Sequence, residues 1–281
     1  MNRSPAPVAA PAGTPADALV DAAGTRHRPA GGDARIVSLV PSLTELLFDL
    51  GLGERVVGRT AFCVHPAGRI KAVRSVGGTK TVNWDKLRRA APSHVIVNID
   101  ETPRPLAEEL AAAGYTLVVT HPIEVADNIP LFRLLGGVFG AAEAAEALVA
   151  RFEQAYTAAV AAARGRPPRD VLYLIWKDPW MTVAADTYIA KMLALAGWRT
   201  VPAQADRRYP EVVLDEALLA QVDRVLFSSE PFPFTERHLA EFRAAHPVHA
   251  DKALAIDAEL VSWYGSRALA GLPYLTEFCG R

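Results

Sequence analysis

Cysteine is almost absent. Cys63 and Cys279 are the only two in 281 residues, so no disulfide framework supports the fold and a packed core has to hold it. Charge of one sign is lacking as well: Lys and Arg number 30 against 31 Asp and Glu, a net charge of −1. That balance leaves no electrostatic footprint for nucleic acid or an anionic membrane surface. No apolar run is long enough for a membrane span or for the core of a signal peptide. The sequence as it stands therefore reads as cytoplasmic, and as periplasmic if its start is misassigned. Catalytic signatures are missing too. There is no nucleophile elbow, no HExxH and no paired-carboxylate motif, and GGTK at 77–80 lacks the spacing of a phosphate-binding loop. The expectation is a protein that performs no catalysis and requires no cofactor.

What is present is an ordinary globular composition, 51% hydrophobic and 22% charged, long enough for one large core or two small ones. Residues 1–34 are rich in Ala, Pro and Gly and read as a disordered tail. From Arg35 the strand-like RIVSLV is followed by a helical TELLFDLG, and the alternation continues through HVIVN and TLVVT to about residue 125. Such alternation argues for a parallel sheet with helices on its faces. Residues 126–166 turn helical, and 141–164 run without a turn signal, roughly 36 Å of helix at 1.5 Å per residue. A rod of that length joins two lobes, or lies on the surface of a single domain. Strand and helix then alternate again over 167–281.

A register test favours two related halves. A shift of 130 aligns DKLRRAAPSHVIVN (85–98) with DEALLAQVDRVLFS (215–228), and a shift of 146 aligns LLFDLG (46–51) with MLALAG (192–197). The expected fold is α/β: two Rossmann-like lobes with parallel sheets, joined by a single long backbone helix.

In open α/β sheets ligands bind beyond the carboxyl ends of the strands. The loops there hold Phe62 and Asn98 in the first half, and Trp176, Lys177, Asp178, Trp180, Trp263, Tyr264 and Arg267 in the second. Aromatic and polar groups of this kind suit a large, flat, amphipathic ligand, although tryptophans are also ordinary packing residues. Cys63, His65 and His121 have the residue types of a soft-metal site, but too few of them for structural zinc. Asp85 and Asp215 stand near the starts of matching helices, either as caps or as two anchor points for a two-fold partner carrying arginines.

The segments RIVSLVPSLTELLFDLGLGERVVGRTAFCVHP and SVGGTKTVNWDKLRRAAPSHVIVN resemble the first lobe of the substrate-binding proteins that deliver cobalamin and ferric siderophores to ABC importers. These are the helical-backbone metal-chelate receptors, class III among periplasmic binding proteins. The resemblance implies a monomer that clamps a corrinoid or other metal chelate between its lobes with small hinge motion. It also implies one acid per lobe for docking on the permease dimer, here Asp85 and Asp215 where the cobalamin binders usually carry Glu. Phe62 and Tyr209 match cleft aromatics of that family, while Gly78 and Asn98 stand where tryptophans are expected. Two alternatives accompany this reading: a tetrapyrrole metal chelatase using His65, His121 and Glu101, and a cytoplasmic handler or sensor of the same ligands.

Overall fold

The structure is a computed structural model that describes residues 19–203 and 206–280. The N-terminal half contains β1 (Ile36–Ser38), α1 (Pro41–Asp49), β2 (Val56–Thr60), β3 (Ser75–Gly77), α2 (Trp84–Ala90), β4 (His94–Asn98), α3 (Arg104–Ala112) and β5 (Thr116–Thr120). Its strands form one sheet in the order β3-β2-β1-β4-β5, every pair parallel. Helices α4 (Asn128–Val138) and α5 (Ala142–Ala163) follow. The second half contains β6 (Arg169–Leu174), α6 (Tyr188–Leu195), β7 (Trp198–Thr200), α7 (Glu216–Ala220), β8 (Arg224–Ser228), α8 (Glu236–Ala245), β9 (Ala253–Ile256), α9 (Glu259–Ser262) and α10 (Ala268–Phe278). Its sheet runs β7-β6-β8-β9, again all parallel.

The strands are apolar because helices cover both faces of each sheet. β1 is buried at all three positions, and β4 and β8 at their last four. The repeat seen in the sequence is now a structural one. β4 and β8 are offset by 130 residues and lie next to the first strand of their respective halves, so β2-β1-β4-β5 and β7-β6-β8-β9 are equivalent rows. Their leading helices are capped alike. The Asn83 side chain accepts from Lys86 N, and that of Asp215 from Leu218 N, each satisfying a backbone donor that a helix start leaves unpaired.

The 22 residues of α5 bury one stripe, Ala145, Leu148, Val149, Phe152 and Ala159, at the spacing of a single helix face. α4 and α10 pack along it. α10 is the last helix of the chain, so the second half returns to brace the linker from which it departs. One continuous core runs from Leu43 and Leu46 of α1 through α4 and α5 to Tyr264 and Leu272. The halves meet at Gly265, whose φ is +88° and where a Cβ would stand 3.4 Å from that of Leu46. A side chain at that position would be strained by the positive φ.

The tail expectation needs correction for residues 19–34. Asp21, only 6% exposed, accepts from Ala23 N and Thr25 N and pairs with His27 at 2.9 Å. It also accepts from Val119 N at 3.0 Å, while Ala22 N donates to Val119 O. The segment thus covers the outer edge of β5, which would otherwise leave ladder groups unpaired. One buried carboxylate, not an apolar run, organises it. The rest of the expected tail, residues 1–18, lies outside the described residues.

Candidate ligand-binding cleft

The strands of both sheets end toward the seam between the lobes, and the loops beyond them meet there. Glu101, after β4, accepts from the Tyr264 hydroxyl at 2.6 Å. His65, after β2, bonds Glu259 at 2.7 Å. Arg208, between β7 and α7, pairs with Asp100 and donates to His121 at 2.7 Å, and the Tyr209 hydroxyl donates to Asp100 at 3.3 Å. Deeper in the seam Arg267 grips Glu45 of α1 with two bonds of 2.9 and 2.7 Å.

Around these bonds the strand ends expose large apolar side chains. Phe62 is 63% exposed, Val64 and Ile99 each 48%, and Trp176 41%. The first three come from one lobe and Trp176 from the other. Exposed apolar groups gathered on the strand-end loops, rather than scattered singly, are the informative exception to burial.

The remaining sequence candidates divide by what they touch. Trp263 and Tyr264 are nearly buried, the indole N–H of Trp263 donating to Glu230 and the Tyr264 hydroxyl to Glu101. Together with Tyr209 and Arg267 they knit the seam. Trp180 stacks on Phe234 at 6.0 Å and meets Phe227 edge-on, packing inside the second lobe. Lys177 pairs with Glu241 of α8 at 3.0 Å. Asp178 is exposed at the tip of a turn closed by Trp176 and Met181, with φ at +61°. Asn98 is 2% exposed; its Oδ1 accepts from Asp100 N at 2.8 Å and shapes the loop that holds Ile99, Asp100 and Glu101. Arg208, Glu45 and Glu259 carry seam contacts that no local pattern announces, since each depends on a partner distant in sequence.

The soft-metal candidates are each engaged elsewhere. Cys63 is buried between the Thr44 and Thr60 hydroxyls, at 3.1 and 3.2 Å, and burial pushes its thiol pKa up. His65 and His121 bond Glu259 and Arg208. Among the described residues no three His, Cys, Asp or Glu side chains gather to hold a metal ion.

Burial dominates the electrostatics. It pushes the Glu101 carboxyl up to about 7; the Tyr264 hydroxyl opposes the shift, and Glu230 and Asp100 add to it. Glu230 is raised for the same first reason, opposed by the Trp263 indole. Glu45 is raised by burial against the pull of Arg267.

Asp85 and Asp215 are exposed at the starts of α2 and α7. Asp85 reaches Arg88 at 2.6 Å, whereas Asp215 is a helix cap. Each of these helices leads into its strand and so begins near the carboxyl edge of its own sheet.

Two parallel-sheet lobes joined by one long helix, with apolar side chains exposed on facing loops, define a binding protein of the clamp type. The chain belongs to the periplasmic binding protein family, which it matches over residues 36–251. It is 26% identical over 200 residues to the vitamin B12-binding protein of Vibrio cholerae, covering 70% of each chain. The crystal structure of the periplasmic vitamin B12 binding protein BtuF of Vibrio cholerae superposes with a TM-score of 0.77 at 20% identity, over 88% of this chain and 96% of that one. The periplasmic haem-binding protein RhuT from Roseiflexus sp. RS-1, in its apo form, gives a TM-score of 0.75 at 25% identity, over 88% and 98%. This is a family of substrate-binding proteins and not of enzymes, and the chelatase alternative is set aside. Among the described residues no helix is long and apolar enough to cross a membrane.

Proposed function

We propose that this chain captures a corrinoid or related metal chelate between its lobes and presents it to an ABC permease. The observation that carries the reading is the set of apolar side chains exposed at the strand ends, Phe62, Val64 and Ile99 on one wall and Trp176 on the other. A flat macrocycle held between such walls buries both of its faces. The relatives named for vitamin B12 and haem support the same ligand class. Asp85 and Asp215, one exposed acid on each lobe, offer matched anchors for arginines of a two-fold permease. A single chain supplies both walls, so the monomer suffices. The periplasmic location named for the structural relatives supports the periplasmic expectation over the cytoplasmic one.

The test is calorimetric titration of the purified protein with cyanocobalamin, haem and a ferric hydroxamate. One-to-one binding of at least one of them at micromolar concentration or below is expected. Failure of all three would overturn the proposal.

A further inference from the structure

Building on that reading, we propose that Glu101 and Glu230 set the charge class of the ligand: the cleft accepts chelates with an uncharged or cationic, hydrogen-bond-donating edge and rejects those with carboxylates at the edge.

The two acids come from opposite lobes, one in the loop after β4 and the other in the loop after β8, the structurally equivalent strands. Each is held by uncharged donors. Glu101 accepts from the Tyr264 hydroxyl at 2.6 Å; Glu230 accepts from the Trp263 indole and from the Ser262 hydroxyl at 3.3 Å. No Lys or Arg is bonded to either carboxylate among the described residues, and each has further acids for neighbours: Asp100 and Glu230 act on Glu101, and Glu259 and Asp257 on Glu230.

The cations that reach across the seam are already matched. Arg208 pairs with Asp100 and, at 3.5 Å, with Asp186. Arg267 pairs with Glu45, His65 bonds Glu259 and His121 accepts from Arg208. Tyr209 and Tyr173, which also face these acids, have their hydroxyls held in the neutral form by burial. The exposed Phe62 and Trp176 mark ligand surface independently of these acids. An arriving carboxylate would meet two acids in a partly desolvated seam, where screening is weak and each ionised acid repels it. An amide or ammonium edge would find free acceptor lone pairs.

The chelates that fit the walls differ at their edges. Cyanocobalamin presents carboxamides, haem presents two propionates, and a ferric hydroxamate with one ammonium arm presents a cation. At pH 8, above the value of about 7 to which Glu101 is pushed, cyanocobalamin or the cationic hydroxamate is expected to bind at least about tenfold more tightly than haem, a ratio worth about one pKa unit of interaction. The Glu101→Gln/Glu230→Gln variant, which keeps side-chain shape, is expected to narrow that ratio through tighter haem binding. For the unmodified protein the ratio should also narrow between pH 8 and pH 6 as Glu101 takes up its proton. Haem binding as tight as that of the other two at pH 8 would overturn the inference while upholding the chelate reading. So would a ratio unmoved by the double variant, or haem binding that is lost on Arg207→Ala, since that exposed neighbour of Arg208 would then be the counter-charge. Binding of no chelate at all overturns both.

Discussion

The two lobes share a strand order and diverge in the loops beyond it. After β4 the first lobe turns outward, with Asn98 shaping a short loop that leaves Ile99 in solvent, and after β2 it leaves Phe62 and Val64 exposed. In the second lobe most of the aromatic residues fold back on their own core. Trp180, Phe227 and Phe234 pack together, Phe232 tilts against Phe234 at 4.6 Å, and Trp176 alone among them stays well exposed. One repeat has produced a wall of loose apolar side chains and a wall that is largely pre-packed. Preorganised surfaces bind at lower entropic cost, whereas exposed side chains must be ordered on binding. On the proposed reading, a bound chelate should therefore order the first lobe's side chains more than the second lobe's.

The comparison breaks most severely where the walls are joined. Arg267→Met would strand Glu45 in the seam without its guanidinium. Since removing one partner of a buried ion pair typically costs about 3–5 kcal/mol, and this pair keeps some solvent contact, a loss of about 3 kcal/mol is expected in denaturant unfolding. The Glu45→Met/Arg267→Met double variant should recover most of it.

Proton linkage comes next. The folded protein holds the Glu101 proton up to about pH 7, whereas the ordinary value is 4.5. Folding therefore favours the protonated form. The stability this brings is full below about pH 4.5, declines as pH rises toward 7 and is gone above it, amounting to at most about 3 kcal/mol. Glu101→Gln should flatten that part of the stability profile. A variant with an unchanged slope would show that another group carries it.

The outer edge of the first lobe gives a smaller effect. Asp21→Ala removes the acceptor for Ala23, Thr25 and Val119 and the partner of His27, at a cost of about 1–3 kcal/mol. Faster amide exchange at Val119 would report it directly. At the ligand walls, Phe62→Ala should leave stability within about 0.5 kcal/mol, because the ring is mostly solvated, and weaken chelate binding about tenfold or more. Trp176→Ala should weaken binding and also loosen Phe232, with which it packs edge-on at 5.6 Å. The two acids proposed for docking come last. Asp85→Lys should change it by no more than about 0.5 kcal/mol, whereas Asp215→Lys loses a cap worth about 1 kcal/mol. Both should leave ligand affinity intact and lower uptake in a transport assay.

Much of the architecture was legible because it rests on local periodicity. Apolar strand runs, helix stops and the offsets of 130 and 146 residues all lie within short windows, and the structure turns them into equivalent rows of strands. The cleft was legible only in part. Phe62 and Trp176 could be placed by the rule that ligands meet strand ends, and both are exposed there. The same rule also nominated Trp180, Lys177 and Asn98, whose partners, Phe234, Glu241 and the Asp100 amide, lie within the same lobe. The seam bonds were illegible for a different reason. Arg208 to Asp100 spans 108 residues and Arg267 to Glu45 spans 222, distances at which a charged residue in a loop gives no sign of its partner. Asp21 escaped notice likewise, because its bond to Val119 crosses 98 residues from a stretch whose composition reads as disorder.

The central claim, that one ligand is held by both lobes at once, is tested most directly by amide hydrogen exchange with and without saturating cyanocobalamin or whichever chelate of the panel binds. The account predicts slowed exchange in the loops at 61–65 and 99–102 of the first lobe and at 176–181 of the second, in the same sample. Protection confined to one lobe would contradict it.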